Sequence, residues 1–200
     1  MLTLVHAPRS RSSGALWLLE ETGQPYDVQT VSIRRGDGSG ALDPANPHPH
    51  GKVPLLKDGD VTVFEQSAIA LYLADKFPEA GLGPRIGDPA RGDFVTMLTY
   101  YSSVVEPAFT SRFLNINVPR GTAGWVGTEE VMDFINSRLS AQDYVAGGQF
   151  TAADVLYGSA FGLFMNSPLL GDRKTPQLEA YVARCMGRPA RERAMAKDAG

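Results

Sequence analysis

Cysteine occurs once in the 200 residues, at Cys185, so no intramolecular disulfide framework is open to the chain and a reducing compartment fits it. Histidine is nearly as scarce. Of His6, His48 and His50, only the last two lie close together, and a metal site is not expected from them. No apolar run approaches the length of a membrane span. No basic stripe appears, and a net charge of −3 with a pI near 5.6 argues against a nucleic-acid partner. The apolar stretch Leu2–Val5 is too short for the core of a secretory signal, and Arg9 and Arg11 interrupt the residues after it. What remains is ordinary globular composition, 43% hydrophobic and 20% charged, with room for one domain or two small ones. A cytoplasmic protein is expected.

The first eighty residues mix strands and helices. Leu2–Val5 reads as a buried strand, a leucine-rich helix runs from Ala15 to a stop at Gly23 and Pro25, and Tyr26–Ile33 reads as a second strand. Two strands joined by a helix make a parallel crossover. The stretch from Arg34 to Gly51, rich in glycine and proline, reads as loop with at most one short helical turn. Val53–Lys57 and Asp60–Phe64 then flank Asp58-Gly59 as a hairpin with a two-residue turn. A helix carrying Ile69, Tyr72 and Leu73 comes next and stops at Pro78. The order predicts an α/β domain over 1–78, a Gly/Pro-rich linker over 79–89 and an all-helical domain over 90–200. Helices are expected at 90–113, 129–139, 152–165, 176–186 and 189–197.

Several stretches carry more than one reading. Pro8–Ser13 places Ser10, Arg11, Ser12 and Ser13 where the first strand hands over to its helix, as caps or as a reactive turn. Proline at Val53-Pro54 marks either an edge strand with a trans bond or a cis turn that opens the strand's backbone to an extended peptide. Glu65-Gln66-Ser67 either caps the next helix or offers its N-terminus to a ligand carboxylate. Thr151 and Asp154 are spaced as a capping box. Cys185, alone on an amphipathic helix, reads as a small buried hydrophobe.

The Pro8–Ser10 turn, "GKVPLL" from Gly51, "FEQSAIALYLADKFPEAGLGP" from Phe64 and "FTAADV" from Phe150 together resemble the soluble glutathione transferase family, most of all bacterial members with a serine-rich first turn. The resemblance covers nearly the whole chain. It implies a thioredoxin-like N-terminal domain followed by an all-α C-terminal domain, a cis Pro54, glutathione as co-substrate without a metal, and a homodimer. Ser10 matches the serine that donates to the glutathione sulfur, with Ser12 as the runner-up donor and Arg11 adding positive field. Val53 matches the residue whose backbone pairs with the cysteinyl part, Lys52 a basic residue near the glycyl carboxylate, and Glu65 the acid that meets the γ-glutamyl amine. The family's acid–serine pair reads Glu65-Gln66 here, with Ser67 next in line to supply a hydroxyl, and its usual Asn-Pro reads His48-Pro49. No tyrosine stands at the end of the first strand and no cysteine in the first turn.

Free thiols titrate near pH 8.5, so only about a few per cent is thiolate at neutral pH. A helix N-terminus, a hydroxyl donor and a guanidinium each favour the thiolate, and the first turn offers all three. The expected function is transfer of glutathione to a small apolar electrophile, held near Tyr100, Tyr101 and Phe109. The other readings are a non-catalytic binding or regulatory protein of the same fold and a glutathione-dependent peroxidase or reductase.

Overall fold

The computed structural model describes residues 1–199. The chain divides into two compact units, one formed by Met1–Leu82 with the segment that starts at Pro189, the other by Gly83–Arg188.

The first unit is built on four strands, β1 (Leu2–His6), β2 (Tyr26–Thr30), β3 (Leu55–Asp58) and β4 (Val61–Phe64), in the order β2-β1-β3-β4. β2 runs parallel to β1, and β3 and β4 are antiparallel to their neighbours. Helix α1 (Ser12–Thr22) makes the crossover. Leu16, Trp17, Leu18 and Leu19 are all buried, as befits a helix apolar on every side. Gly23 ends it at φ 66°, a conformation that glycine adopts without a Cβ clash. Helix α2 (Gln66–Lys76) buries Ile69, Ala70 and Leu73 and stops before Pro78. The hairpin turn lies one residue later than the sequence suggests. Asp58 pairs with Val61, so Gly59-Asp60 form the turn, with Gly59 at φ 59°. A left-handed first turn position decides this, since glycine fills it and aspartate does so at a cost. Residues 34–51 form turns, with no helix among them.

The second unit is helical. Its elements are α3 (Arg91–Tyr100), α4 (Glu106–Phe113), α5 (Thr128–Ala141), α6 (Ala152–Phe164) and α7 (Pro176–Met186), with a 3₁₀ segment at Pro168–Arg173. Tyr101–Val105 joins α3 to α4 as a π-helical turn, which periodicity alone does not reveal. Tyr101 and Phe109 are buried: Tyr101 sits edge-on to Tyr157 and Phe109 stacks on Phe164. Tyr100, only half-buried, packs edge-on to Phe134. At the start of α6 the Asp154 carboxylate accepts from Thr151 N–H at 2.8 Å and Val145 N–H at 2.9 Å, closing the anticipated capping box.

The last helix, α8 (Pro189–Asp198), packs on α1 within the first unit. Glu20 of α1 is the fastening point. It accepts from Arg193 Nε at 2.8 Å, Lys197 Nζ at 2.6 Å and the Tyr26 hydroxyl at 2.5 Å. Burial alone would raise the Glu20 carboxyl, but these bonds outweigh it and hold it down to about 2.

Candidate active site

Strand register brings the candidate residues together. Val5 pairs with Leu55, and Leu55 pairs with Phe64. The turn leaving β1, the approach to β3 and the exit from β4 therefore meet at one end of the sheet. Ser10, Arg11 and Ser12 come from the first, Lys52, Val53 and Pro54 from the second, Glu65, Gln66 and Ser67 from the third. The Val53-Pro54 bond is cis. The β1–β3 ladder ends at Val5–Leu55, so the Val53 backbone lies beyond its last pair, while the Val53 side chain packs against Val5, Val31 and Leu55.

The first turn is held tightly. Ser10 Oγ donates to Ala7 O at 2.7 Å, lies 2.8 Å from Ser12 Oγ and accepts from Ser12 N–H at 3.2 Å. Ser10 is partly exposed, whereas Ser12 is fully buried. Ser12 Oγ also accepts from Ala7 N–H at 3.1 Å and lies 2.7 Å from His6 Nδ1. Its hydrogen-bonding capacity is spent inside the protein. Arg11 is exposed at the N-cap of α1. Burial pushes the His6 imidazole below its ordinary value, against the pull of the Asp198 carboxylate.

The other two approaches differ in character. Lys52 is exposed, and its carbonyl accepts from Asn46 Nδ2 at 3.1 Å. His48 fills the position ahead of it, its ring edge-on to Phe64 at 5.0 Å and its Nδ1 accepting from His50 N–H at 3.1 Å. Glu65 precedes α2 at φ 70°, ψ 129°, a left-handed conformation that costs a non-glycine residue about 1–3 kcal/mol. The exposed Glu65 side chain and the first N–H groups of α2, at Gln66 and Ser67, stand at this corner. Backbone strain of this kind clusters at active sites and ligand clamps. Among the described residues no group of three or more His, Cys, Asp or Glu is placed to hold a metal, and no helix is long and apolar enough to cross a membrane. Buried Cys185 is pushed up to about 12 by desolvation, which removes it as a nucleophile.

Three residues around the turn escape sequence reasoning. Asp198 accepts from Arg9 N–H at 3.2 and 3.3 Å and from Ser13 Oγ at 2.7 Å. Arg35 donates to Pro8 O at 2.8 Å and Arg9 O at 3.3 Å. His6 Nε2 lies 3.2 Å from Asp198 Oδ1. Asp198 and Arg35 are remote in sequence from the turn, and no local spacing announces them.

A mixed four-stranded sheet with a cis-proline before its third strand, joined to a helical unit, defines a thioredoxin-like domain with an all-helical C-terminal partner. Residues 1–75 match the family described as Glutathione S-transferase, N-terminal domain, and residues 126–189 match Glutathione S-transferase, C-terminal domain. Glutathione S-transferase F10 of Arabidopsis thaliana is 30% identical over 172 residues, covering 78% of each chain. Glutathione S-transferase F14 of the same plant is 27% identical over 196 residues, 90% of this chain and 76% of the relative. Among solved structures, the glutathione transferase of Methylococcus capsulatus is similar with a TM-score of 0.77 and 25% identity, covering 100% of this chain and 99% of that one. The theta class glutathione S-transferase of Xanthomonas axonopodis pv. citri, with glutathione bound, gives 0.75 and 27%, covering 97% and 96%. The chain belongs to the glutathione S-transferase family and is an enzyme of that kind, a glutathione transferase.

Proposed function

We propose that this transferase binds glutathione at the end of the sheet where Ser10, Val53 and Glu65 converge, and that the Ser10 hydroxyl stabilises its thiolate for attack on a small apolar electrophile. The observation that carries this reading is the register Val5–Leu55–Phe64, which draws three separate chain segments to one end of the sheet. In it the Val53 backbone, past the end of its ladder, pairs with the cysteinyl part of the ligand. Lys52 lies toward the glycyl carboxylate. The Glu65 carboxylate takes the γ-glutamyl ammonium, and Gln66 and Ser67 offer the N-terminus of α2 to the carboxylate beside it. Ser10 turns its hydrogen from Ala7 O to the sulfur. Ser12, buried and committed, supports Ser10 rather than touching the ligand, and Arg11 adds positive field. In the cell the protein is a cytoplasmic homodimer acting in detoxification.

The test is a pH titration of thiolate absorbance in the glutathione complex. Ser10→Ala should raise the bound thiol's pKa by about one unit, equivalent to about 1.4 kcal/mol, the scale of one hydrogen bond to a charge. Turnover at neutral pH should fall about tenfold and glutathione affinity should change little. An unmoved curve removes Ser10 from the chemistry. By calorimetry, Glu65→Ala should weaken glutathione binding more than Gln66→Ala, because a charge-assisted bond contributes about 1.5–3 kcal/mol and a neutral one about 1. Equal losses would reassign the γ-glutamyl contacts.

A further inference from the structure

Arg9 stands one residue before Ser10 at φ 54°, in the left-handed region that a residue with a Cβ seldom adopts. Its conformation is clamped from two sides. Asp198, at the end of α8, accepts the Arg9 N–H on both carboxylate oxygens, and on Oδ1 the Ser13 hydroxyl as well. From the loop after β2, Arg35 donates to the carbonyls of Pro8 and Arg9. The peptide groups on both sides of Arg9 are thereby fixed, and with them the direction in which Ser10 leaves the turn. His6 completes the enclosure. Its Nε2 faces Asp198 Oδ1 at 3.2 Å, off the line of a good hydrogen bond, and its Nδ1 meets Ser12.

We propose that Asp198 is a positioning residue for the transferase reaction, holding the strained Arg9 peptide so that the Ser10 hydroxyl points at the sulfur. This rests on the assignment of Ser10 to the glutathione thiolate. Asp198 acts through hydrogen bonds and not through its charge. A carboxylate near a developing thiolate disfavours it, so the field of Asp198 opposes the reaction while its geometry serves it. The two contributions have opposite signs, and a neutral isostere separates them. Asparagine keeps an oxygen to accept from Arg9 N–H and Ser13, and it drops the charge.

The experiment titrates thiolate absorbance in the glutathione complex of the full chain, and measures kcat and glutathione KM with an aryl halide, for Asp198→Ala, Asp198→Asn and Ser10→Ala. Asp198→Ala should raise the bound thiol's pKa by about half to one unit and lower kcat at neutral pH about three- to tenfold, with KM within about twofold. Asp198→Asn should hold the pKa at or slightly below the wild-type value and restore kcat. The double variant Ser10→Ala with Asp198→Ala should shift the pKa no further than Ser10→Ala alone, since both act through one hydroxyl. Wild-type behaviour in Asp198→Ala overturns the proposal, and so does Asp198→Asn falling as far as Asp198→Ala. Should Asp198→Ala not fold, Asp198→Asn and Arg35→Lys decide. Arg35→Lys keeps a cation and loses the two-pronged brace, so an unshifted pKa in it, or a raised one in Asp198→Asn, overturns the clamp. A Ser10→Ala curve that does not move overturns the Ser10 assignment and this proposal with it, whereas a shift in Ser10→Ala but not in Asp198→Ala overturns this proposal alone.

Discussion

Replacing Asp154 with asparagine keeps the volume of the side chain and removes half of its accepting capacity. The carboxylate is fully buried, yet it accepts four bonds: Val145 N–H at 2.9 Å and the Tyr181 hydroxyl at 3.1 Å on one oxygen, Thr151 N–H at 2.8 Å and the Thr151 hydroxyl at 2.9 Å on the other. Burial raises this carboxyl to about 6, still low enough to leave it ionised at neutral pH. In Asp154→Asn an NH₂ takes the place of one oxygen. The Thr151 hydroxyl can turn to accept from it, but a backbone N–H cannot. With either amide orientation one buried N–H, of Thr151 or of Val145, loses its acceptor. A charge-assisted bond is worth about 1.5–3 kcal/mol and an orphaned buried donor costs about 1–3, so the loss should total about 2.5–6 kcal/mol. For a chain of this length that lowers the melting temperature by about 5–24 °C. Differential scanning calorimetry at neutral pH measures it. A shift under about 3 °C would refute the claim that the box organises the start of α6.

Glu20→Gln should destabilise the protein at neutral pH by about 1–2 kcal/mol, a figure kept low because Arg193 and Lys197 are half exposed. The folded carboxyl lies at about 2, below its ordinary 4.5, so the stabilisation is present above about pH 4.5 and is lost as pH falls through about 2. Denaturant titrations of both proteins should converge toward the acid end, and a gap that stays constant would count against the fastening role of Glu20. Cys185 should resist a disulfide reagent in the native protein and react once it is unfolded, as mass spectrometry can track. Rapid labelling of the native chain would contradict its burial.

Much of this architecture is legible in the sequence because it is written in local pattern. The crossover from β1 through α1 to β2 is set by apolar runs stopped by Gly23. The bounds Pro176–Met186 are announced by Pro176 and the spacing of Leu178, Tyr181 and Val182. The candidate site is legible in the same way wherever its residues sit at the joints of elements, as Ser10, Val53 and Glu65 do. What escapes is set by energy between remote parts. The hairpin slips by one residue because glycine and aspartate compete for one left-handed position at Gly59. The sequence expects the electrophile near Tyr101 and Phe109, but it does not show that Tyr157 and Phe164, remote in the chain, pack against them. Helix α8 reads as the fifth helix of the helical half, but its packing on α1, the ion pairs of Arg193 and Lys197 with Glu20 and the bonds of Asp198 to Arg9 and Ser13 draw it to the other unit.

The placement of α8 has a consequence for how the chain is made. A ribosome delivers β1 long before Asp198, so the sheet-bearing unit emerges almost whole and then waits through more than a hundred residues of helical sequence for α8. During that interval Glu20 has neither Arg193 nor Lys197, and Arg9 has no carboxylate to hold its peptide. The face of α1 that α8 later covers stays open to water or to a chaperone. A product released before α8 would carry a nearly intact sheet and a loosened first turn, so competence at this turn reports that synthesis has passed α8.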